Sequence, residues 1–322
     1  MIKDKIKVGL YGMNGHQIHE LLINHSRARL TATAGINPVD LPEALLVDNI
    51  PHYETLDELL DNKHVDLISL CSPRRCYQAE EAIRCLQAGK HVYAVQPCSM
   101  TEKELDKIIY TARREGKHFH EMAGTAFEQP YLEVRRLLKD GTVGDIVQVL
   151  AQKSYPYADW RSADEDSDGG IIMKIGIHAV RFVEHVAGIS VKHIESAETT
   201  QGNPRDDDLC MAANMTMRLA NGGLACAIAN YLNPPAFGSW GNETLRIFGT
   251  KGFVEVVDGG KRTRLVLNEK DMGPLQQTEP SQDYFELYLL SLLEGRQMPL
   301  TLEEELHPTR VVIQAKANLR NF

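Results

Sequence analysis

Residues 6–17 read Ile-Lys-Val-Gly-Leu-Tyr-Gly-Met-Asn-Gly-His-Gln. The first six form a short apolar run, which is typical of a buried β-strand, and Gly12 ends it. Residues 17–24 then follow a pattern that predicts a helix. A dinucleotide-binding fold needs this order, because a glycine turn lets the backbone approach a pyrophosphate and a helix N-terminus attracts its charge. The stretch therefore predicts the first strand, turn and helix of such a domain.

Strand and helix patterns continue to alternate as far as residue 121. Further strands are predicted over 30–36, 65–71, 91–95 and 117–121, and helices over 78–87 and 105–114. Capping boxes at Thr55–Glu58 and Thr101–Glu104 open two helices. Alternation of this kind favours a parallel, doubly wound sheet. We predict an N-terminal Rossmann domain over residues 1–123.

The pattern changes after Gly124 to long strands separated by turns. Strands are predicted over 146–153, 192–200, 208–219, 223–232, 244–248, 253–257 and 262–267, and helices over 130–139, 176–186, 283–293 and 307–318. Residues 221–223 and 249–252 have the composition of hairpin turns, which join antiparallel strands. The α/β chain is therefore predicted to carry a second, α+β domain over residues 124–322, with a large, mostly antiparallel, open-faced sheet.

Composition narrows the classes of partner. The chain has 322 residues, of which 43% are hydrophobic and 25% charged, and its net charge is −9. An acidic chain is not expected to bind nucleic acid or an anionic membrane as its main role. No apolar run follows Met1, and the six cysteines show no Cys-x-x-Cys spacing, so we expect a reduced, cytoplasmic protein without a membrane span. Asp206–Asp208 is interpreted as a solvated turn, and no metal site is predicted.

Two motifs carry a resemblance to a known family. Residues 88–97 read Ala-Gly-Lys-His-Val-Tyr-Ala-Val-Gln-Pro, and residues 169–178 read Gly-Gly-Ile-Ile-Met-Lys-Ile-Gly-Ile-His. The first is similar to the segment ending in Glu-Lys-Pro in the glucose–fructose oxidoreductase and inositol dehydrogenase family. The second resembles that family's Gly-Gly, apolar run and Asp-x-Gly-x-His. Leu70–Pro73 is similar to its Thr-Pro turn, and the order and spacing of these motifs extend the resemblance along nearly the whole chain.

The resemblance implies a nicotinamide cofactor, either NAD or NADP with a slight preference for NAD. It also implies sugars, inositols or related polyols as substrates, and a homodimer or homotetramer assembled through the C-terminal sheet. The residues expected to contact the cofactor are Gly12, Met13, Asn14, Gly15, His16, Asn37, Ser72, Pro73, Gln96 and Pro97. Asn37 stands where an acidic residue usually binds the adenosine ribose. Its amide bonds a hydroxyl without repelling a 2′-phosphate, so it does not decide between the two cofactors.

The catalytic charges are rearranged relative to the family pattern. Gln96 stands where the family has a lysine beside the nicotinamide, and Lys174 stands where it has an aspartate. Gln96 can hydrogen-bond a hydroxyl but cannot take its proton, whereas His178 is suited to act as the base. Lys174 and His178 are four residues apart, so on a helix they share one face. We therefore predict Lys174, His178 and Gln96 as the catalytic residues, with the first two as an acid/base unit.

Substrate contacts are predicted from the same region. Arg181 lies three residues after His178, and a basic face there favours an anionic sugar or other carboxylate-bearing substrate. Trp160 is suited to stacking on a sugar ring, and Tyr157 and Arg161 lie on the same loop. These four residues are the predicted substrate-binding set.

Three functions fit this pattern. The first is an NAD(P)-dependent oxidoreductase acting on a sugar, polyol or sugar acid. The second is a related enzyme that oxidises its substrate transiently, to run a lyase, epimerase or hydrolase reaction. The third is a ligand-binding or regulatory protein without turnover, which the altered glycine turn and Gln96 favour. A new lysine at position 174 argues against the third, because an inactive site has no need of it.

Overall fold

The computed structural model describes residues 5–46 and 49–320. The four residues that open the chain, on which the expectation about its N-terminus partly rests, lie outside the described residues. Two compact units make up the chain. The first contains the residues up to Met122 together with Asp166–Asp168 and Tyr284–Glu305. The second contains Ala123–Glu165, Gly169–Asp283 and the residues from Leu306 onward.

A six-stranded parallel sheet forms the centre of the first unit. Its strands are β1 (Ile6–Tyr11), β2 (Ala28–Ala34), β3 (His52–Tyr53), β4 (Leu67–Leu70), β5 (His91–Ala94) and β6 (Phe119–Glu121), in the order β3-β2-β1-β4-β5-β6. The helices are α1 (Leu56–Asp61), α2 (Gln78–Gln87) and α3 (Glu102–Glu115). Both predicted capping boxes are present, at Thr55 and Thr101. This strand order is that of the Rossmann fold, in which ligands bind at the carboxyl ends of the strands.

An eight-stranded, mostly antiparallel sheet forms the second unit. Its strands are β7 (Ile146–Ser154), β8 (Val191–Thr199), β9 (Ala212–Leu219), β10 (Leu224–Asn230), β11 (Asn242–Gly249), β12 (Gly252–Val257), β13 (Arg262–Leu267) and β14 (Lys270–Gly273). The order is β14-β13-β12-β11-β7-β10-β9-β8, and β7 with β10 is a parallel pair. Burial alternates along β9 and β10, so one face of the sheet is packed and the other is open. The predicted fold class is confirmed.

The packed face of this sheet carries a helical segment of unusual geometry. Residues 172–176 and 182–186 form π-helical turns on either side of α6 (Ile177–Arg181). A π-helical turn is wider than an α-helical one and is frequent at functional sites. The remaining helices are α4 (Tyr131–Lys139), the single turn α5 (Glu165–Asp168), α7 (Tyr284–Glu294) and α8 (Leu302–Ala317). No helix among the described residues is long and apolar enough to cross a membrane.

The helix predicted over residues 17–24 is wrong. Only Glu20–Leu22 are helical there, as one 3₁₀ turn. The side chain of Gln17 explains the difference, since its Nε2 donates to the carbonyl of Gly12 at 2.8 Å and its Oε1 accepts from the N–H of Ile18 at 3.0 Å. These bonds hold the chain in a non-helical path, and Asn24 has a positive φ of 53°. The first strand is therefore not followed by a helix of normal length.

The predicted boundary between domains also differs from the structure. The prediction assigned every residue from 124 onward to one domain, but Tyr284–Glu305 belongs to the first unit. The buried carboxylate of Glu305 explains why. Its Oε2 lies 2.7 Å from Nδ1 of His120, its Oε1 accepts from the N–H of Glu121 at 2.6 Å, and it also accepts from the hydroxyl of Tyr284. A charge without exposed surface requires such partners, and they lie on β6 and α7.

Candidate cofactor and substrate sites

The turn after β1 brings the backbone close to the neighbouring strand end. Gly12 has a φ of +67°, and a Cβ added there would lie 2.2 Å from the carbonyl oxygen of Cys71. Gly15 has a φ of +122°, and its added Cβ would lie 2.8 Å from Cγ2 of Val95. Only glycine is compatible with both positions. The two glycines therefore let the turn pack closely against the ends of β4 and β5, and a tight glycine turn at this place fits a dinucleotide-binding fold.

Polar side chains hold this turn in place. The N–H of Asn14 donates to the carbonyl of Cys71 at 3.3 Å. The Asn14 side-chain amide donates to the carbonyls of Pro73 at 3.1 Å and Ser167 at 2.7 Å. Gly15 and His16 are exposed, and Met13 is half-buried. The predicted turn residues therefore lie together at the end of β1, and Asn14 connects them to Pro73 after β4.

A buried arginine that the sequence did not single out lies beside the turn. Arg75 is 2% exposed, and its Nη2 donates to the carbonyl of Asn14 at 2.8 Å. Its Nη1 donates to Oε1 of Gln78. Gln78 in turn donates from Nε2 to the carbonyls of Val95 at 2.7 Å and Pro97 at 3.0 Å. Arg75 and Gln78 thus join the glycine turn to the bend at Gln96–Pro97.

The other predicted cofactor residues occupy the ends of β2, β4 and β5. Asn37 is exposed, and its Oδ1 accepts from the N–H of Val39 at 3.3 Å. Ser72 is fully buried, whereas Pro73 is exposed. Gln96 is 5% exposed and precedes Pro97 through a cis peptide bond. All these residues lie at the carboxyl edge of the parallel sheet, where this fold class binds its ligands.

Lys174 and His178 share one narrow strip of partly exposed surface on the helical segment, here called the stripe. Within residues 171–183 they are the two side chains with partial exposure, and all the others are buried. Lys174 lies in the π-helical turn and His178 in α6, and the partial exposure of both agrees with a shared face. The packing therefore presents these two basic groups on the same side of the segment, as the spacing predicted. Their roles in catalysis stay a prediction.

An aromatic cluster surrounds this stripe in the second unit. The Lys174 ammonium lies 5.9 Å from the ring centroid of Trp160, and the Trp160 and Trp240 rings are parallel within 7° at a centroid distance of 6.4 Å. Tyr155 meets the ring of His178 edge-on at 6.4 Å and lies 6.1 Å from Trp240. Trp160 and Trp240 are 67% and 52% exposed. Large exposed aromatic rings of this kind are suited to stacking on a ligand ring.

Arg161 and Arg181, two of the predicted substrate contacts, are both buried, and their role in substrate binding stays a prediction. Arg161 is 3% exposed, its guanidinium stacks on the ring of Tyr231 at 3.9 Å, and Nη2 donates to the carbonyl of Pro156 at 2.8 Å. Arg181 is 2% exposed. Among the predicted basic residues, Lys174 and His178 are the ones with exposed surface.

Tyr155 and Tyr157 differ in their relation to the cluster. Burial raises the pKa of Tyr155 to about 12, and the charge of Arg161 opposes the shift, so its phenol stays protonated near neutral pH. Tyr157 is half-buried on the same loop. In the part of the chain that the structure describes, it makes no ring contact with this cluster.

Two more residues of this region were missed by sequence reasoning. Lys153 forms an ion pair with Glu243 and lies 4.8 Å from the ring centroid of Tyr155. Trp240 stands between Ser239 and Gly241 with no motif around it, and its rarity, one of only two tryptophans, was the one signal available. The triple aspartate is part of a turn, where Oδ1 of Asp207 accepts from the side chain of Asn203 at 2.7 Å and the N–H of Leu209 at 3.1 Å.

Comparison with known families matches both units. Residues 6–122 match the domain described as "Oxidoreductase family, NAD-binding Rossmann fold", and residues 131–255 match the "GFO/IDH/MocA C-terminal domain". Two solved structures share the fold along almost their whole length. An oxidoreductase from Thermotoga maritima has a TM-score of 0.85 at 22% identity, covering 97% of both chains. A scyllo-inositol dehydrogenase from Lactobacillus casei has a TM-score of 0.77 at 19% identity, covering 99% of this chain and 97% of the other.

The curated relatives align with a smaller share of this chain. A trans-1,2-dihydrobenzene-1,2-diol dehydrogenase from Xenopus tropicalis is 25% identical over 226 residues, which is 69% of this chain and 66% of that protein. A scyllo-inositol 2-dehydrogenase (NADP(+)) from Bacillus subtilis (strain 168) is 25% identical over 198 residues, 58% of this chain and 53% of that protein. The chain thus covers less than two thirds of the length of either relative.

Proposed function

The chain belongs to the GFO/IDH/MocA oxidoreductase family, and from this premise we propose that it is an NAD(P)-dependent oxidoreductase acting on a ring hydroxyl of a sugar, polyol or sugar acid. The observation that carries the proposal is the stripe of Lys174 and His178. Two basic side chains keep partial exposure on a segment that is buried over residues 171–183 apart from them. Lys174 lies beside the exposed Trp160 ring, and His178 meets the ring of Tyr155. Oxidation of an alcohol requires a base close to a bound substrate, and this arrangement supplies both parts.

The residues proposed to hold the dinucleotide are those at the carboxyl edge of the parallel sheet: Gly12, Met13, Asn14, Gly15, His16, Asn37, Ser72, Pro73, Gln96 and Pro97. A nicotinamide held there would supply the hydride acceptor or donor for the substrate carbon. The glycine turn supports binding of the pyrophosphate through its backbone. Asn37 is compatible with either NAD or NADP, because its exposed amide carries no charge.

Transfer of the substrate's hydroxyl proton is proposed to involve side chains of this chain. We propose that the imidazole of His178 takes the hydroxyl proton and that the ammonium of Lys174 assists as acid/base and orients the hydroxyl oxygen. Gln96 is proposed to hydrogen-bond the reacting hydroxyl, since an amide cannot take its proton near neutral pH. The ring of Tyr155 packs edge-on against the imidazole of His178 and is proposed to limit its rotation.

The burial of Arg161 and Arg181 shifts the preferred substrate towards neutral rings. With these guanidinium groups buried, Lys174 is the partly exposed lysine or arginine among the predicted site residues. The parallel Trp160 and Trp240 rings suit the apolar face of a cyclic polyol. The names of the two curated relatives, which act on a dihydrobenzenediol and an inositol, support a cyclic substrate. Tyr157 remains a proposed contact on the same loop.

Calorimetric titration with NADH and NADPH tests the cofactor assignment first. Binding of one of them, followed by turnover in a screen of inositols, cyclic diols and sugar acids, would support the proposal. No binding of either at about millimolar concentration would count decisively against it. Trp240→Leu should raise KM for the active substrate with little change in kcat, because the ring binds ground state and transition state alike.

A binding or regulatory function without turnover is the second candidate. The missing helix after β1 favours it, because it removes the dipole that usually attracts the pyrophosphate. Dinucleotide binding with no turnover on any tested substrate would be its signature. Turnover without net change of free NAD(P)H would instead indicate transient oxidation of the substrate.

A further inference from the structure

The turn after β1 lacks the positive end of a helix. In most dinucleotide folds the N–H groups and dipole of the first helix face the pyrophosphate. Here residues 17–19 are not helical, and the single 3₁₀ turn at Glu20–Leu22 begins with an acidic residue. A doubly charged pyrophosphate bound to this turn would therefore need positive charge from another part of the first unit.

Arg75 places a positive charge at that turn. Its Nη2 lies 2.8 Å from the carbonyl oxygen of Asn14 and 3.3 Å from the position that a Cβ on Gly15 would take. The guanidinium is 2% exposed, and its Nε is buried without a hydrogen-bond partner among the described residues. A buried charge is costly unless it is compensated.

Burial lowers the pKa of Arg75, and the nearby carboxylates of Asp168 and Glu121 oppose that shift. Arginine nevertheless stays protonated in proteins, so its positive charge persists at the turn. An anion on the turn would complete its compensation.

Arg75 also acts on the second cofactor-binding segment. Its Nη1 donates to Gln78, whose amide donates to the carbonyls of Val95 and Pro97. Those two carbonyls flank Gln96, so one buried chain of hydrogen bonds fixes both the turn and the bend. A displacement of Arg75 would then move both the turn proposed to bind the pyrophosphate and the bend at Gln96–Pro97.

We propose that Arg75 is the positioning residue of the pyrophosphate site. Its charge replaces that of the missing helix N-terminus, and its hydrogen bond to Gln78 fixes the position of the turn relative to the Gln96–Pro97 bend. This inference rests on the proposed dinucleotide binding. It assigns a role to a residue that neither the motif comparison nor the sequence pattern identified. Arg75 acts through the Asn14–Gly15 backbone and its own charge.

Titration of ADP-ribose and adenosine into purified full-length protein tests the proposal. ADP-ribose carries the pyrophosphate but no nicotinamide, and adenosine carries no phosphate. Arg75→Gln should weaken ADP-ribose binding by about tenfold or more and leave adenosine binding within about threefold. Arg75→Lys keeps the charge and should lie much closer to wild type. The matched control is Arg74→Gln, which removes the neighbouring arginine, whose side chain is 43% exposed, and should leave both affinities nearly unchanged.

The outcomes separate this inference from the cofactor assignment. If wild type binds neither NAD(P)H nor ADP-ribose, both are wrong. If wild type binds ADP-ribose and a folded Arg75→Gln binds it equally well, only the role of Arg75 is wrong. Equal losses in Arg75→Lys and Arg75→Gln would overturn the charge argument and leave a packing role.

If Arg75→Gln does not fold, the pH dependence of ADP-ribose binding to Arg75→Lys tests the proposal instead. A buried lysine loses its proton as the pH rises, so that variant should lose ADP-ribose affinity between about pH 7 and 10 while wild type does not. A flat profile would overturn the proposal.

Discussion

At the scale of single residues, the acid/base assignment depends on two side chains of one stripe. Lys174→Met should lower turnover by roughly 10²–10⁴, the usual effect of losing a general acid or base, and leave cofactor affinity nearly unchanged. His178→Ala should have a similar effect. If the residues act as one unit, the double variant should lose less than the product of the single losses.

Steady-state kinetics on an active substrate, with cofactor titration alongside, gives the comparison. The control is Lys192→Met, which removes an exposed lysine of β8. Full turnover of a folded Lys174→Met would mean that this lysine only balances charge.

Gln96 offers the converse experiment, because the family's lysine can be restored there. Gln96→Lys should not raise turnover, and it should lower the free energy of unfolding. The side chain is 5% exposed, so an ammonium would be placed in a buried position close to the network of Arg75 and Gln78. Gln96→Met is the neutral control of similar size. A large rate increase in Gln96→Lys would show that position 96 has simply lost its catalytic group.

At the scale of the secondary-structure elements, the turn after β1 is set by Gly12. Gly12→Ala should lower the free energy of unfolding by clearly more than the ~1–2 kcal/mol of an unfavourable φ, because its Cβ would overlap the carbonyl oxygen of Cys71 at 2.2 Å. It should also abolish dinucleotide binding. Gly116→Ala is the matched control, since that glycine has a φ of +60° but no atom within 4 Å of an added Cβ. Urea unfolding and NADH titration measure both effects, and equal losses in the two variants would contradict the argument.

A hydrogen bond between His118, next to β6, and His91 of β5 predicts that the free energy of unfolding depends on pH. Nδ1 of His91 accepts from the N–H of His118 at 3.0 Å, and protonation would remove that acceptor. Burial, followed by the charges of His118 and Lys117, lowers the pKa of His91 to about 4. The unfolded chain therefore binds this proton more readily, and the contribution of His91 to stability is complete above about pH 6.5 and is lost as the pH falls towards 4.

Urea unfolding at pH 7 and pH 5 tests this expectation. His91→Asn keeps an acceptor and should make stability less dependent on pH, whereas His193→Asn, at an exposed histidine of β8, should not. An unchanged pH dependence in His91→Asn would show that other groups are responsible.

Much of this architecture was predictable because local signals agreed with the fold. β1, α2 and β13 have the predicted bounds, and both capping boxes form. The helix over 17–24 was not predictable, because the bonds of Gln17 to a backbone carbonyl and N–H outweigh helix propensity. The burial of Arg161 and Arg181 depends on partners distant in sequence. Spacing placed Lys174 and His178 on one face, but it carried no information about Trp240, Arg75 or Gln78.

At the scale of the whole molecule, the open face of the eight-stranded sheet carries exposed apolar side chains. Leu150, Leu224 and Ile228 project from adjacent strands β7 and β10 and are 37%, 48% and 37% exposed. Phe248 and Phe253 form a ring contact at 5.7 Å on the neighbouring pair β11 and β12. In the strand register, Gln148, Gln152 and Arg246 lie between these apolar side chains. Several exposed apolar side chains grouped on one face of a sheet mark a candidate interaction surface. We propose that this face buries itself against a second copy of the chain, giving a homodimer or a homotetramer.

A pair of charge substitutions on that face should separate the copies. Leu150→Glu with Ile228→Glu places two like charges on adjacent strands of that face, where a dimer would desolvate them without matched partners. Light scattering should show wild type as a dimer or tetramer and the variant as a monomer with unchanged secondary structure. Tyr110→Lys is the control, because Tyr110 is 61% exposed on α3 in the first unit and should leave the assembly intact. A monomeric wild type, or a double variant that still assembles, would show that the open face is not the contact between copies.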